Sequence, residues 1–129
     1  MEIRATLVHQ ADCVTEGGDD PRFAAVTWRT LISGDRTPTK GLTMGVTEVR
    51  ETDAPFELHR HVQAETYYIL SGHGIISFEG VEQPLSPGDA VYIPSNLVHA
   101  ARCVGPEPLR ILYVFAADSF SDVEYEFPD

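Results

Sequence analysis

Turn signals recur along this chain and separate short apolar runs. Gly34-Asp35, Asp53-Ala54-Pro55, Ser71-Gly72, Glu79-Gly80, Ser86-Pro87-Gly88-Asp89, Pro94-Ser95-Asn96 and Gly105-Pro106 cut it into short pieces. Glycine supplies positive φ, and proline fixes φ and has no N–H to give to a ladder, so each marks a stop. Between the stops lie 26–32, 42–50, 65–70, 74–78, 90–93, 99–103 and 109–115, all rich in Val, Ile, Thr, Tyr or Phe. No long stretch carries a 3.6-residue apolar period. Short strands at near-even spacing predict an all-β, antiparallel sandwich or barrel.

At 129 residues the chain fits one domain and can bury an adequate core without disulfides. It is expected to divide into an N-terminal segment of about 1–25, a core of about 26–117 and a C-terminal segment, 118–129. Residues 16–21, Glu-Gly-Gly-Asp-Asp-Pro, read as an exposed loop. The last segment alternates aromatic and acidic residues too regularly for a frayed tail, so it is expected to pack back on the core. Cys13 and Cys103 match no paired zinc spacing and read as free thiols. The start lacks the basic and apolar regions of a signal peptide, and no apolar run reaches membrane-spanning length. The expected compartment is the cytoplasm, with no membrane partner. Nine basic against twenty acidic residues give a net charge of −11, which repels phosphate backbones and argues against nucleic acid.

The stretch His59-Arg60-His61-Val62-Gln63-Ala64-Glu65-Thr66-Tyr67 carries the chemistry. Side chains alternate along an extended chain, so His59, His61, Glu65 and Tyr67 share one face if no bulge intervenes. Two imidazoles and a carboxylate converging inside a barrel suit a borderline divalent metal, and His99 could close the site from a second strand. Fe, Ni, Mn, Co and Zn all accept such ligands, and the spacing does not choose among them. Tyr68 has the outward parity, and His9 and His73 read as surface histidines.

This spacing resembles the two motifs of the cupin family. His59, His61, Glu65 and Gly72 fit the first motif, and Gly88, Pro94 and His99 fit the second. Asn96 replaces a turn glycine and Cys103 a terminal asparagine, while Asp53 stands where a glycine is usual. Asparagine tolerates the left-handed conformation such a turn needs. The resemblance implies a single cupin, a jelly-roll-like antiparallel β-barrel, with one divalent transition metal held by His59, His61, Glu65 and His99. Small cupins usually pair through their sheets, and exposed sheet edges favour pairing, so a homodimer is expected.

From Trp28 onward the chain is similar to the small cupin lyases that cleave dimethylsulfoniopropionate into dimethyl sulfide and acrylate. The shared pieces include Trp28-Arg29, residues 41–45 (Gly-Leu-Thr-Met-Gly), residues 64–67 (Ala-Glu-Thr-Tyr), residues 88–93 and residues 120–125 (Phe-Ser-Asp-Val-Glu-Tyr). What the likeness implies is a small carboxylate-bearing substrate, Tyr67 as the catalytic tyrosine, and Tyr125 and Trp28 as pocket residues that bind substrate. Core packing is the alternative role for each of these three. Arg60 stands where those lyases need no arginine, so the pocket rim is expected to differ. The implied chemistry is an elimination with a tyrosinate base, favoured at alkaline pH, and aromatic faces holding the sulfonium.

Two other functions share the same residues. A different metal-dependent cupin enzyme, whether dioxygenase, isomerase or polyketide cyclase, would use a similar site, and only the first would consume oxygen. A non-catalytic binding module would hold a small ligand without turnover.

Overall fold

The computed structural model describes residues 4–54 and 57–128. Among the described residues nine strands follow in order: β1 (Glu16–Gly17), β2 (Val26–Ile32), β3 (Thr43–Val49), β4 (Glu65–Ser71), β5 (Gly74–Phe78), β6 (Val81–Leu85), β7 (Ala90–Ile93), β8 (His99–Cys103) and β9 (Leu109–Phe115). The only helical pieces among the described residues are 3₁₀ turns at Gln10–Asp12, Pro21–Phe23 and Phe120–Asp122. All the pairing is antiparallel. The strands form two sheets, one of order β1-β2-β3-β9-β4-β7 and one of order β6-β5-β8.

Each expected strand is present within a residue of its expected ends, and two further strands appear. β6 contains Pro84, paired opposite Ile75, and a proline is a poor sign of a strand. It is the edge of the smaller sheet, the place where a missing N–H costs least. The β5–β6 connection is the two-residue turn Glu79-Gly80, with φ of 52° and 75°, the left-handed pair that matches hairpin twist. β1 falls within the segment read as an exposed loop. It is only two residues long, pairs Glu16 with Trp28, and is held from a distance by Arg36 and Thr30 on the Glu16 carboxylate. No local pattern announces such a strand. Of the turn expected at residues 53–55, Pro55 lies outside the described residues.

The alternation that defines a half-buried strand is cleanest in β9, where Leu109, Ile111, Tyr113 and Phe115 point inward. Leu109 and Ile111 join Val49, Ile69, Ile76, Leu85, Ile93 and Cys103 in the core between the two sheets. Full burial of an aliphatic chain such as Ile69 contributes about 1.5–3 kcal/mol. Tyr113 and Phe115 belong to a second cluster with Ala117, against which Trp28, Tyr67, Phe120 and Val123 pack. That division leaves one end of the molecule to aliphatic packing and the other to aromatic rings and the histidines.

Candidate metal centre and its chamber

β4 presents Glu65, Tyr67 and Ile69 to the interior and Thr66, Tyr68 and Leu70 to solvent. Just before it, His59 and His99 exchange backbone hydrogen bonds at 3.1 and 2.9 Å, so the first histidine is registered directly against β8. His61 is fixed by its carbonyl, which accepts the Asn96 N–H at 2.8 Å. Asn96 holds φ of 65°, the left-handed conformation for which asparagine can substitute glycine.

Each of the three imidazoles has its Nδ1 within hydrogen-bond distance of a backbone carbonyl two residues away. His59 faces Glu57 O at 2.9 Å, His61 faces Gln63 O at 2.8 Å and His99 faces Leu97 O at 2.8 Å. A carbonyl only accepts, so Nδ1 carries a proton in every ring, and the neutral form of each imidazole offers the Nε2 lone pair to a ligand. Ligand atoms of the three histidines lie within 4.8 Å of one another, and all three residues are buried. The Glu65 carboxylate sits among them, with Oε1 at 3.1 Å from His61 Nε2 and 3.6 Å from His99 Nε2. His99 Nε2 has no hydrogen-bond partner although the residue is fully buried.

This donor set fits a divalent cation. Bare imidazole lone pairs and a carboxylate oxygen repel one another at such distances, and a positive ion between them reverses the sign of each interaction. Burial, with His99 next in effect, holds the His59 imidazole down at about 4, so it is uncharged at neutral pH and free to ligate. Three imidazoles and one oxygen donor suit a first-row transition ion without selecting one.

Beside the histidines lies a chamber of about 140 Å³ whose wall includes Trp28, Tyr67, Tyr113, Phe115, Phe120 and Tyr125. Tyr67 thus sits two residues beyond Glu65 on the same face, and its ring lies 6.4 Å from that of His99. Burial and the Glu65 charge push its phenol well above 10. Tyr125 stacks on His59 at 4.9 Å with planes 16° apart, and burial raises its phenol too. Its segment is pinned by Arg60, which pairs backbone to backbone with Glu126 and holds the Glu126 carboxylate at 2.9 Å. Arg60 therefore points away from the chamber. Trp28 lines the wall against Phe120, at 5.8 Å, with its Nε1 buried and unpartnered.

Several wall residues had no role expected from the sequence, Tyr113, Phe115 and Phe23 among them. Tyr113 and Phe115 could have been found from parity, since β9 pairs Tyr113 with Tyr67 and Phe115 with Glu65. Phe23, which meets His59 edge-on at 5.6 Å, comes from a 3₁₀ turn in the N-terminal segment and left no periodic trace.

Residues 46–115 match the model of the cupin domain. The chain belongs to the cupin family. This cupin is 39% identical over 111 residues to the dimethylsulfoniopropionate lyase DddW of Ruegeria pomeroyi, a match covering 86% of this chain and 72% of that one. Among solved structures it resembles the polyketide cyclase RemF of Streptomyces resistomycificus, with a TM-score of 0.75 and 22% identity over 98% of this chain and 87% of that one. It also resembles a structure described with the dimethylsulfoniopropionate lyases RdDddP and RnDddQII, with a TM-score of 0.66 and 20% identity over 81% of this chain and 53% of that one. At such identities the structural likenesses speak for the cupin fold. No described helix is long and apolar enough to cross a membrane.

Proposed function

We propose that this cupin is a metal-dependent lyase that splits dimethylsulfoniopropionate, or a close sulfonium carboxylate, by β-elimination. The observation that carries the reading is Tyr67: a phenol on the same strand face as Glu65, opening on an aromatic chamber beside three inward-facing imidazoles. The 39% identity to a named lyase of that substrate supports the same assignment.

His59, His61, Glu65 and His99 would hold one divalent transition ion. When bound, it supplies Lewis acidity to a substrate carboxylate, which makes the adjacent C–H more acidic. Tyr67 would take that proton on its phenolate oxygen. As the C–H pair forms the new double bond, the C–S bond breaks and its electrons leave with dimethyl sulfide. In the chamber alone Tyr67 is held protonated by burial and by Glu65. A sulfonium seated beside it acts in the opposite sense, so the group that leaves also ionises the base. Trp28 and Tyr125 would present aromatic faces to that cation, each worth about 0.5–2 kcal/mol.

The test is dimethyl sulfide release from purified protein reloaded in turn with Fe, Ni, Mn, Co and Zn. Metal-dependent release that Tyr67→Phe abolishes, with metal content unchanged, is the expected result. No release with any of the five overturns the lyase reading, and oxygen uptake would then point to a dioxygenase.

We further infer that two copies of the chain pair through the outer face of β4 and β7, where Tyr68, Leu70 and Tyr92 are exposed beside the free edge of β7.

A further inference from the structure

Trp28 lines the chamber but leans on a residue that does not, Gly17 of β1. β1 pairs with β2 at two positions, Glu16 with Trp28 and Gly17 with Thr27. Gly17 has φ of 91°, and the indole fills the space where its side chain would stand. A Cβ there would lie 2.4 Å from Trp28 Cζ3 and 2.7 Å from Cε3, with the Val26 carbonyl oxygen next at 2.9 Å. Carbon atoms in contact sit about 3.5–4.0 Å apart, so the ring and a side chain cannot share that space.

No hydrogen bond fixes the indole, because its Nε1 is buried without a partner. Packing sets its position, with Phe120 meeting it at 5.8 Å in a T-shaped contact and Gly17 backing it. β1 is only two residues long, and Glu16 holds it in place. The Glu16 carboxylate takes two Arg36 N–H bonds at 2.7 Å and the Thr30 O–H at 2.8 Å. Thr30 stands two residues beyond Trp28 on β2. The strand that carries the indole thus also anchors the strand that backs it.

We infer that Gly17 is the positioning residue for this wall of the chamber: having no side chain, it seats the Trp28 indole against β1, and the ring so placed sets the affinity for the ligand. That the ligand is a sulfonium rests on the lyase reading above. A side chain at Gly17 displaces the ring from β1. It should change binding rather than chemistry, since Tyr67 and His99 stand on other strands, β4 and β8.

Gly17→Ala and Gly18→Ala separate the seat from backbone strain. The two glycines have φ of 91° and 86°, so alanine is strained alike at either. At Gly18, however, a Cβ would meet nothing nearer than Thr27 Cγ2 at 3.9 Å, an ordinary contact. Trp28 is the single tryptophan, so its fluorescence emission reports the ring directly. On metal-loaded protein, Gly17→Ala should shift that emission and raise KM for dimethylsulfoniopropionate about threefold to tenfold, the loss of one cation–π contact, with kcat within about twofold of wild type. Gly18→Ala should keep the wild-type emission and KM. Equal effects at the two glycines, or a shifted emission with unchanged KM, overturn the inference. Should Gly17→Ala fail to fold, the double variant Gly17→Ala/Trp28→Leu, which removes the overlap with the indole, takes its place. It should fold and match Trp28→Leu in KM, and a double variant that is unfolded or binds more weakly overturns the inference. A wild type that releases no dimethyl sulfide overturns the lyase reading alone, and the emission contrast between the two alanine variants then decides whether Gly17 seats the ring.

Discussion

His59 and His99 are locked to each other by a reciprocal pair of backbone hydrogen bonds, 3.1 and 2.9 Å long, and their rings lie 4.5 Å apart. The two halves of the histidine cluster come from segments forty residues apart in sequence, yet neither can slide without the other. The geometry of the centre is thus set by main chain rather than by the side chains that would ligate.

Removing one imidazole should therefore empty the site without unfolding the protein. We expect His99→Ala to lower bound transition metal at least about tenfold, with the far-ultraviolet circular dichroism of wild type. His73→Ala, at an exposed position, serves as the control and should retain full metal content. Elemental analysis after dialysis gives both numbers. Wild-type metal content in the His99 variant would remove that residue from the ligand set.

Asn96 is the hinge on which His61 is hung, at φ of 65° with its N–H on the His61 carbonyl. Asn96→Ala should cost about 1–2 kcal/mol, because a Cβ without a compensating polar group is strained in that conformation. Asn96→Gly should stay within about 0.5 kcal/mol of wild type, since glycine relieves the strain but frees the unfolded chain. Urea denaturation of the two variants distinguishes them, and equal stability would mean the left-handed turn is not what constrains this position.

The Glu16–Arg36 pair gives stability a defined dependence on pH. The Arg36 guanidinium, ahead of every other influence, holds the Glu16 carboxyl below its ordinary 4.5. A depressed folded-state value contributes stability that is fully present above about 4.5 and is lost as pH falls through the folded value. Glu16→Gln should then lower the stability by about 0.5–1 kcal/mol near neutral pH, a modest figure because the pair is partly exposed to solvent. The difference should shrink toward zero in acid. Thermal melts of both proteins across the acid range test this, and a gap that stays constant with pH would show that the carboxylate charge is not responsible.

Pairing of two copies should be visible as mass. Light scattering is expected to give twice the 14.2 kDa of the chain at micromolar concentration. Tyr92→Asp should return it to one, because Tyr92 is 68% exposed on the β7 edge and the charge would be buried at the interface. A monomeric wild type would reject the pairing.

Local chemistry made the strands legible. β-branched and aromatic runs stop where Gly, Pro or Asn must stop them, and β2, β5, β7, β8 and β9 begin and end there. The histidine cluster was legible for the same reason, since strand parity alone puts His59, His61 and Glu65 on one face. What parity could not reach are features made by contact between distant segments. β1 exists because Arg36 and Thr30 hold Glu16, and Phe23 reaches His59 from a short 3₁₀ turn.

The strand order bears on how the protein is made. β9 lies between β3 and β4, so the two halves of the large sheet have no bond to each other until residues near Phe115 have left the ribosome. During that interval β3 and β4 each present an open ladder, and β4 carries Glu65 and Tyr67 on a face that has nothing to close it. Synthesis of this chain passes through a late, exposed stage, and a stalled or shortened product would have two sticky edges where the finished one has a centre.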